Sequence, residues 1–302
     1  MGINILHLLS LLLLPLVATA MLQHELFAVP DDPVILDYHN GTLLTGNYSI
    51  NIIWYGDFTA TQRGIVIDFI TSLSASTPAP SVASWWKTTS LYQGGGAQIT
   101  LGSQYFDTNL SFGKSLTRKN LSQLATDNGH HKNAITAIFT AQNILVEGFC
   151  LASCGIHRWA TAGKHNGTKF AYLWAGNSET QCPGGCAWPF HKPIYGPQDP
   201  PLIPPNGDIG MDGLIIRIAT LLAGIATNPY GDGYFLGDKL APLEAVTACP
   251  GTFGTGYYPG YPGKLLIDET TGASYNADGL AGRKYLIPGM WNPVTKECTP
   301  LV

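Results

Sequence analysis

The sequence predicts an α/β or α+β domain in which a mixed sheet is covered by helices. Apolar runs rich in β-branched and aromatic residues alternate with helical patterns along the first half of the chain, and this alternation favours a sheet flanked by helices. The 35 glycines, 21 prolines and a charged fraction of 12% indicate many weakly charged loops. No linker-like segment divides residues 21–302, so we expect them to form a single domain.

The local patterns predict the individual elements. Strands are expected where β-branched and aromatic residues cluster, at residues 48–55, 98–106, 134–141 and 169–175. Helices are expected at residues 61–74, 81–92, 117–127 and 213–226, with Asp212 capping the last one. Apolar side chains lie on every side of that last helix, so it is expected to be buried. It contains Arg217 and is shorter than the roughly 20 residues that a bilayer span needs, so no membrane span is predicted in the mature chain.

The N-terminus has the pattern of a secretory signal peptide at residues 1–20. Its leucine-rich core at residues 5–17 is too short to cross a bilayer, and the small residues of Ala18-Thr19-Ala20 suit signal peptidase. The alternative is a short buried helix at the N-terminus. The signal peptide predicts a secreted protein of the extracellular space.

Export makes N-glycosylation a further prediction. Five Asn-x-Ser/Thr motifs occur in the mature chain, and the predicted acceptors are Asn40, Asn47, Asn109, Asn120 and Asn166. The alternative for each motif is an unmodified asparagine in a turn.

The six cysteines have two interpretations. They are Cys150, Cys154, Cys182, Cys186, Cys249 and Cys298. The first four form two Cys-x3-Cys pairs with His157 and His191 nearby, and thiolates with imidazoles at short spacings suit tetrahedral zinc. An even number of cysteines in an exported chain favours disulfides instead. Six cysteines allow 15 pairings, and the spacing does not select one; a bond between Cys249 and Cys298 would hold the C-terminal tail.

Two aromatic segments form a candidate ligand surface. Residues 182–208 contain too many prolines for regular structure, yet Trp188 indicates an ordered loop on the core rather than a disordered linker, and His191 follows closely. Residues 251–263 present Tyr257, Tyr258 and Tyr261 on a frame of glycine and proline. This segment is either a surface on which carbohydrate rings stack or a loop fixed by its tyrosines, and the sequence favours neither.

No set of catalytic residues is evident in the sequence. The Gly-x-Ser-x-Gly motif of many esterases is absent, and no spacing among the acidic residues selects a carboxylate pair for glycoside hydrolysis. We therefore predict no catalytic, cofactor-binding or metal-binding residue.

Four segments of the mature chain are long and unusual in composition. They are Val146-Glu147-Gly148-Phe149-Cys150 with Cys154-Gly155, residues 174–182, residues 186–191 and Gly282-Arg283-Lys284-Tyr285-Leu286. Together they resemble the plant EXORDIUM or phosphate-induced protein family. The resemblance covers nearly all of the mature chain. It implies an extracellular protein of the apoplast and cell wall that takes part in brassinosteroid-dependent growth and cell expansion. It does not imply a known reaction.

The helix at residues 218–229 also resembles the metal-binding helix of zinc peptidases. In zinc peptidases these positions hold a histidine ligand, a glutamate that activates water, and a second metal ligand. Here they are occupied by Thr220, Leu221 and Gly224, and none of these residues can hold zinc. The resemblance implies a degenerate zinc-peptidase-like scaffold, and the alternative is a plain buried helix. Glu244 is the carboxylate we would test as a remnant of a pocket; the alternative is a solvated helix residue.

Three classes of function follow from these observations. The first is a non-catalytic, secreted regulator of growth whose partner is an extracellular receptor, and the second is a protein that binds cell-wall polysaccharide. The third is a hydrolase with an unrecognised site, although the missing ligands and glutamate favour a protein without enzymatic activity. The net charge of −4 and the absence of a basic run argue against a nucleic-acid partner.

Overall fold

A five-stranded sheet organises the chain. The computed structural model describes residues 34–128, 132–151, 153–163, 167–194 and 200–302. The predicted signal peptide at residues 1–20 and the predicted acceptor Asn166 lie outside the described residues. Residues Ile35–Val302 pack together as one unit.

The strands of the described residues are numbered in chain order. They are β1 (Asp37–Tyr38), β2 (Thr45–Tyr55), β3 (Gly96–Asp107), β4 (Ser115–Leu116), β5 (Ala134–Thr140), β6 (Leu145–Val146), β7 (Gly155–Ala162), β8 (Thr168–Gly176), β9 (Tyr234–Phe235), β10 (Leu266–Ile267), β11 (Ser274–Tyr275), β12 (Ala277–Asp278), β13 (Lys284–Tyr285), β14 (Met290–Asn292) and β15 (Glu297–Thr299). The helices are α1 (Ala60–Ser72), α2 (Val82–Lys87), α3 (Arg118–Asn128), α4 (Pro183–Cys186) and α5 (Ile209–Thr227), with 3-10 turns at Thr88–Leu91 and Leu280–Gly282.

The central sheet has the strand order β3-β2-β5-β8-β7. The first four strands are parallel to their neighbours, and β7 runs antiparallel to β8 at one edge. Every residue of β5 is buried, as expected for a central parallel strand with both faces covered. Helices α1 and α2 connect β2 to β3, and α3 lies between β3 and β5, so the predicted α/β architecture with a mixed sheet is confirmed.

Among the five strands of the central sheet, the edge strand β7 is the one that the sequence pattern did not predict. Its residues Gly155–Ala162 are half-buried or exposed in no regular alternation. Without a clear period of two, the segment has no strand signal of its own. Its eight residues are ordered by pairing with β8, from Gly155 opposite Ala175 to Ala162 opposite Thr168.

The long helix α5 begins four residues earlier than predicted, so the predicted cap was wrong. Asp208 is the N-cap, and its Oδ1 accepts a hydrogen bond from the backbone N–H of Met211 at 2.9 Å. Asp212 lies inside the first turn and is 2% exposed. Both aspartates suit a helix start, and the earlier one is the observed cap.

By length and composition alone, α5 could cross a membrane, but 83% of its most apolar stretch is buried inside the protein. It packs against β7, β8 and α1 as a core helix.

Candidate functional site

Three disulfides join the segments before β7 and after β8 and tie down the C-terminal part of the chain. The bonds are Cys150–Cys182, Cys154–Cys186 and Cys249–Cys298. The short helix α4 places Cys182 and Cys186 one turn apart, so the two Cys-x3-Cys pairs are joined to each other side by side. Disulfide bonding is confirmed for all six cysteines, including the suggested link between Cys249 and Cys298. No thiolate remains for zinc, and within the described ranges no group of three or more His, Cys, Asp or Glu side chains could hold a metal.

A cavity of about 440 Å³ lies beside this disulfide-bonded segment, and we call it the aromatic cleft. Its walls include four of the predicted surface residues, Trp188, His191, Tyr258 and Tyr261. Tyr257 is 39% exposed and does not line the cleft. A volume of this size is within the range of small-ligand sites.

The rings of the aromatic cleft are held in place by the loops themselves. Tyr258 and Tyr261 exchange two backbone hydrogen bonds of 3.1 and 2.8 Å, and their ring centroids lie 4.9 Å apart. Trp188 packs on the ring of Phe253 at 5.7 Å, within the cluster of buried residues that also contains Phe190 and Ile216. Tyr258 nevertheless remains 58% exposed. A fixed but accessible aromatic face can bind the apolar face of a ligand without first being ordered.

A second cavity, of about 570 Å³, was not predicted, and we call it the polar cleft. Its polar lining consists of Asp68, Asn206, Asp268, Thr271, Arg283 and Lys284. The two cations, Arg283 and Lys284, belong to the segment Gly282–Leu286, one of the four that resemble the family. That resemblance was the one feature of the sequence that could have drawn attention to these two residues. The six residues are widely separated in sequence, so no spacing pointed to them.

Paired charges fix the side chains of the polar cleft. The Nε of Arg283 donates to Oδ2 of Asp68 at 2.7 Å, and its Nη1 donates to Oδ1 of Asn206 at 2.9 Å. Lys284 is paired with Asp268. The hydrogen bond from Lys284, assisted by the amides of Thr270 and Thr271, lowers the pKa of Asp268 to about 2. Both cations therefore already have carboxylate partners.

Asp212 is buried and holds Asn206, one of the residues that line the polar cleft. Its two carboxylate oxygens accept hydrogen bonds from the backbone and side-chain nitrogens of Asn206, at 2.9 and 2.6 Å. Burial disfavours the charged carboxylate and raises the pKa of Asp212 to about 7, although the bonds from Asn206 oppose this effect.

The raised pKa of Asp212 predicts a pH-dependent stability. Between about pH 4 and pH 7 the folded protein keeps a proton that the unfolded chain releases, so the free energy of unfolding falls as the pH rises. The loss caused by this group reaches about 4 kcal/mol above pH 7, at about 1.4 kcal/mol per pH unit. Urea unfolding at pH 4.5 and pH 7.5 should show this fall in the wild type and a much smaller one in Asp212→Asn. Asp127→Asn, a change of an exposed residue on α3, is the control; equal pH dependence in all three proteins would contradict the assignment.

Glu244 lies outside both clefts and in neither environment that the sequence suggested. It is 7% exposed and lies in a loop, so the alternative of a solvated helix residue is wrong. Its Oε2 lies 2.7 Å from Nε2 of His157, and its Oε1 accepts from Nδ2 of Asn228 at 2.7 Å. Asn228 in turn accepts from the backbone N–H of Gly233 at 2.8 Å. These contacts connect β7, the end of α5 and the following loops.

The helix positions compared with zinc peptidases lie beside this pair. A Cβ on Gly224 would come within 2.8 Å of Glu244 Oε2 and 2.9 Å of His157 Nε2, so a larger residue there would have to displace these two side chains. The hydroxyl of Thr220 donates to the backbone carbonyl of Ile216 at 2.8 Å, and Leu221 is 8% exposed. The space that a metal ligand would occupy is filled by the two side chains.

The described glycosylation acceptors are accessible. Asn40, Asn47 and Asn109 are exposed, and Asn120 is half-buried at the start of α3. The Oδ1 of Asn120 accepts hydrogen bonds from the backbone and hydroxyl of Thr117, so its amide nitrogen is not needed for this capping. The occupancy of these sites stays a prediction.

Comparisons with known proteins agree with this description. The chain matches the family described as "Phosphate-induced protein 1 conserved region" over residues 36–301. It is 52% identical over 280 residues to Protein EXORDIUM-like 2 of Arabidopsis thaliana, covering 91% of this chain and 92% of that protein. Protein PHOSPHATE-INDUCED 1 of Nicotiana tabacum is 53% identical over 292 residues, with 93% of each chain covered. Protein EXORDIUM of Arabidopsis thaliana is 50% identical over 287 residues, covering 90% and 91%. No solved structure matches the chain.

The fold and the two clefts place the chain among disulfide-bonded α/β proteins that have cavities large enough for small ligands. The matches extend this to a family: the chain belongs to the phosphate-induced protein 1 family of EXORDIUM proteins. The resemblance seen in the four sequence segments is thereby confirmed.

Proposed function

We propose that this chain is a secreted glycoprotein of the plant cell wall that binds wall polysaccharide through the aromatic cleft. It acts without catalysis in brassinosteroid-dependent growth and cell expansion. The observation that carries the binding function is the convergence of Trp188, His191, Tyr258 and Tyr261 on one cavity of about 440 Å³.

The chemistry of the cleft supports a carbohydrate as its ligand. A sugar ring presents an apolar C–H face and a hydroxyl edge, and aromatic rings bind such a face while leaving the hydroxyls to polar partners. Tyr258 offers an exposed ring, and His191 and Ser274 add polar groups to the lining. Prolines and glycines make up much of the remaining wall and carry no charge.

Secretion is supported by several independent features. Three disulfides are typical of proteins that mature in an oxidising compartment. The signal-peptide pattern and the exposed Asn-x-Ser/Thr motifs agree with this address. Location in the wall and the link to brassinosteroids rest on the family resemblance.

The environment of Glu244 supports a non-catalytic function over the hydrolase alternative. Both of its carboxylate oxygens are engaged, one by His157 and one by Asn228. Neither cleft includes Glu244 or His157 in its lining. A general acid or base must contact a bound substrate, whereas Glu244 and His157 hydrogen-bond to other residues of the protein.

Binding to immobilised wall polysaccharides tests the proposal. Wild-type protein should be retained by at least one of xyloglucan, arabinoxylan, mannan or de-esterified pectin. Tyr258→Ala and Tyr261→Ala should each weaken binding about tenfold, which corresponds to about 1.4 kcal/mol for the lost stacking area. Tyr257→Ala is the matched control, because it removes an exposed tyrosine from the same loop but outside the cleft.

Equal retention of all four proteins would rule out the aromatic cleft as the binding site. If binding follows the expected order, the same variants can be expressed in a plant. Tyr257→Ala should then support brassinosteroid-dependent expansion, whereas the double variant Tyr258→Ala/Tyr261→Ala should not.

A further inference from the structure

We propose that the polar cleft is a second carbohydrate subsite, which binds the hydroxyl groups of an uncharged sugar. The inference rests on the proposed function in one respect, namely that the ligand is a wall polysaccharide. The site itself is separate, and its side chains come from α1, the loop before α5, the turn after β10 and the segment around β13.

The charge balance of the polar cleft favours an uncharged ligand. Arg283 and Lys284 are the cations of its lining, and Asp68 and Asp268 pair with them one to one. An anionic ligand would have to displace a carboxylate from each cation, or approach both carboxylates directly. A polyhydroxyl ligand meets neither cost.

The unused hydrogen-bonding capacity matches sugar hydroxyls. Nη2 of Arg283 and Oδ1 of Asp68 have no hydrogen-bond partner in the described part of the chain, and the ammonium group of Lys284 has three donors, of which Asp268 takes one. The Arg283 and Asp68 side chains are 27% and 33% exposed, so solvent reaches them. A hydroxyl both donates and accepts, so two neighbouring hydroxyls can donate to Asp68 and accept from Arg283 at once.

The side chains are also ordered before any ligand arrives. Arg283 is held by Asp68 and Asn206, and Asn206 is held by Asp212 and by the backbone carbonyl of Lys284 at 3.2 Å. A site of this kind loses little side-chain entropy on binding. The network therefore suits recognition of a fixed pattern of hydroxyls.

The two clefts share one dividing ridge. Leu202 lines the aromatic cleft and its neighbour Ile203 lines the polar cleft; Ile267 and Asp268 are divided in the same way. The backbone N–H of Ser274 donates to the carbonyl of Ile203 at 3.2 Å, which joins this segment to the β10–β11 ribbon. A glycan chain or its branches can therefore meet aromatic rings on one side of the ridge and polar groups on the other.

Isothermal titration with defined oligosaccharides tests the inference. The probes are cellohexaose and xyloglucan heptasaccharide as neutral ligands, and oligogalacturonate as the anionic one. Asp68→Asn and Arg283→Lys should each weaken neutral binding roughly 10- to 100-fold, the range expected for a lost hydrogen bond to a charged group. Asp127→Asn, with its exposed side chain on α3, should bind as the wild type does.

The outcomes separate this inference from the proposed function. Unchanged neutral binding in Asp68→Asn, with loss in Tyr258→Ala, overturns the polar subsite and leaves the aromatic cleft standing. Weaker neutral binding in Asp68→Asn, with unchanged binding in Tyr258→Ala, supports the polar subsite and overturns the aromatic cleft as a binding site. Stronger oligogalacturonate binding in Asp68→Asn than in the wild type, without neutral binding, would assign the cleft to anions and overturn the inference.

Discussion

Changing Glu244 to alanine is expected to lower the free energy of unfolding by about 4 kcal/mol, because His157 and Asn228 each lose a buried hydrogen-bond partner at a cost of about 2 kcal/mol. The side chains of His157 and Glu244 are 12% and 9% exposed, so water cannot replace the lost partner easily. The change also leaves Nδ2 of Asn228 without its acceptor. Nδ1 of His157 is already buried without a partner among the described residues, so His157 would lose its hydrogen bonds altogether.

Two further variants make the test specific. Glu244→Gln keeps an acceptor for Asn228 and can donate to the other tautomer of His157, so it should lose less stability than Glu244→Ala. Glu269→Ala removes an exposed acid and should change the free energy by no more than about 0.5 kcal/mol. Urea unfolding of the four proteins at one pH supplies the measurement. A loss below about 1 kcal/mol in Glu244→Ala would mean that the pair is not a structural link.

The inner strands of the central sheet could be predicted from the sequence because most of their residues are buried and rich in β-branched and aromatic side chains. Strand β5 is mostly apolar and β-branched, and its predicted and observed bounds differ by a single residue. Strand β7 could not be predicted because it is an edge strand without a regular pattern, ordered by its neighbour. The start of α5 was misplaced because Asp208 and Asp212 carry the same signal at two positions.

The two clefts were also only partly predictable from the sequence. Trp188 and Tyr258 could each be predicted as a candidate ligand-binding residue, because aromatic residues in segments rich in glycine and proline are unusual. The two residues line one cavity although they lie far apart in the sequence, and no spacing reveals this. The link between His157 and Glu244 joins residues 87 positions apart, and that of Arg283 with Asp68 spans 215. No spacing in the sequence indicates either pairing.

Removing both parallel disulfides is expected to lower the free energy of unfolding more than the loss of Glu244 does. Each bond closes a separation of 32 residues, for which loop closure predicts about 4 kcal/mol. While one bond remains, the other closes only a small additional ring of roughly eight residues, for which the same relation gives about 2–3 kcal/mol. Cys150→Ser/Cys182→Ser should therefore cost about 2–3 kcal/mol, and replacing all four cysteines about 6 kcal/mol.

The third bond provides the matched comparison, because it has no parallel partner. Cys249–Cys298 closes a separation of 49 residues and should contribute about 4 kcal/mol by itself. Denaturant unfolding of the oxidised proteins should thus rank the isolated bond above either single member of the pair and below the two together. If each member of the pair costs as much as the isolated bond, the two bridges act independently and the side-by-side arrangement adds nothing. If the ranking holds, α4 and its two bridges form one constraint on the segment that leads into Trp188 of the aromatic cleft, and their loss should weaken glycan binding along with stability.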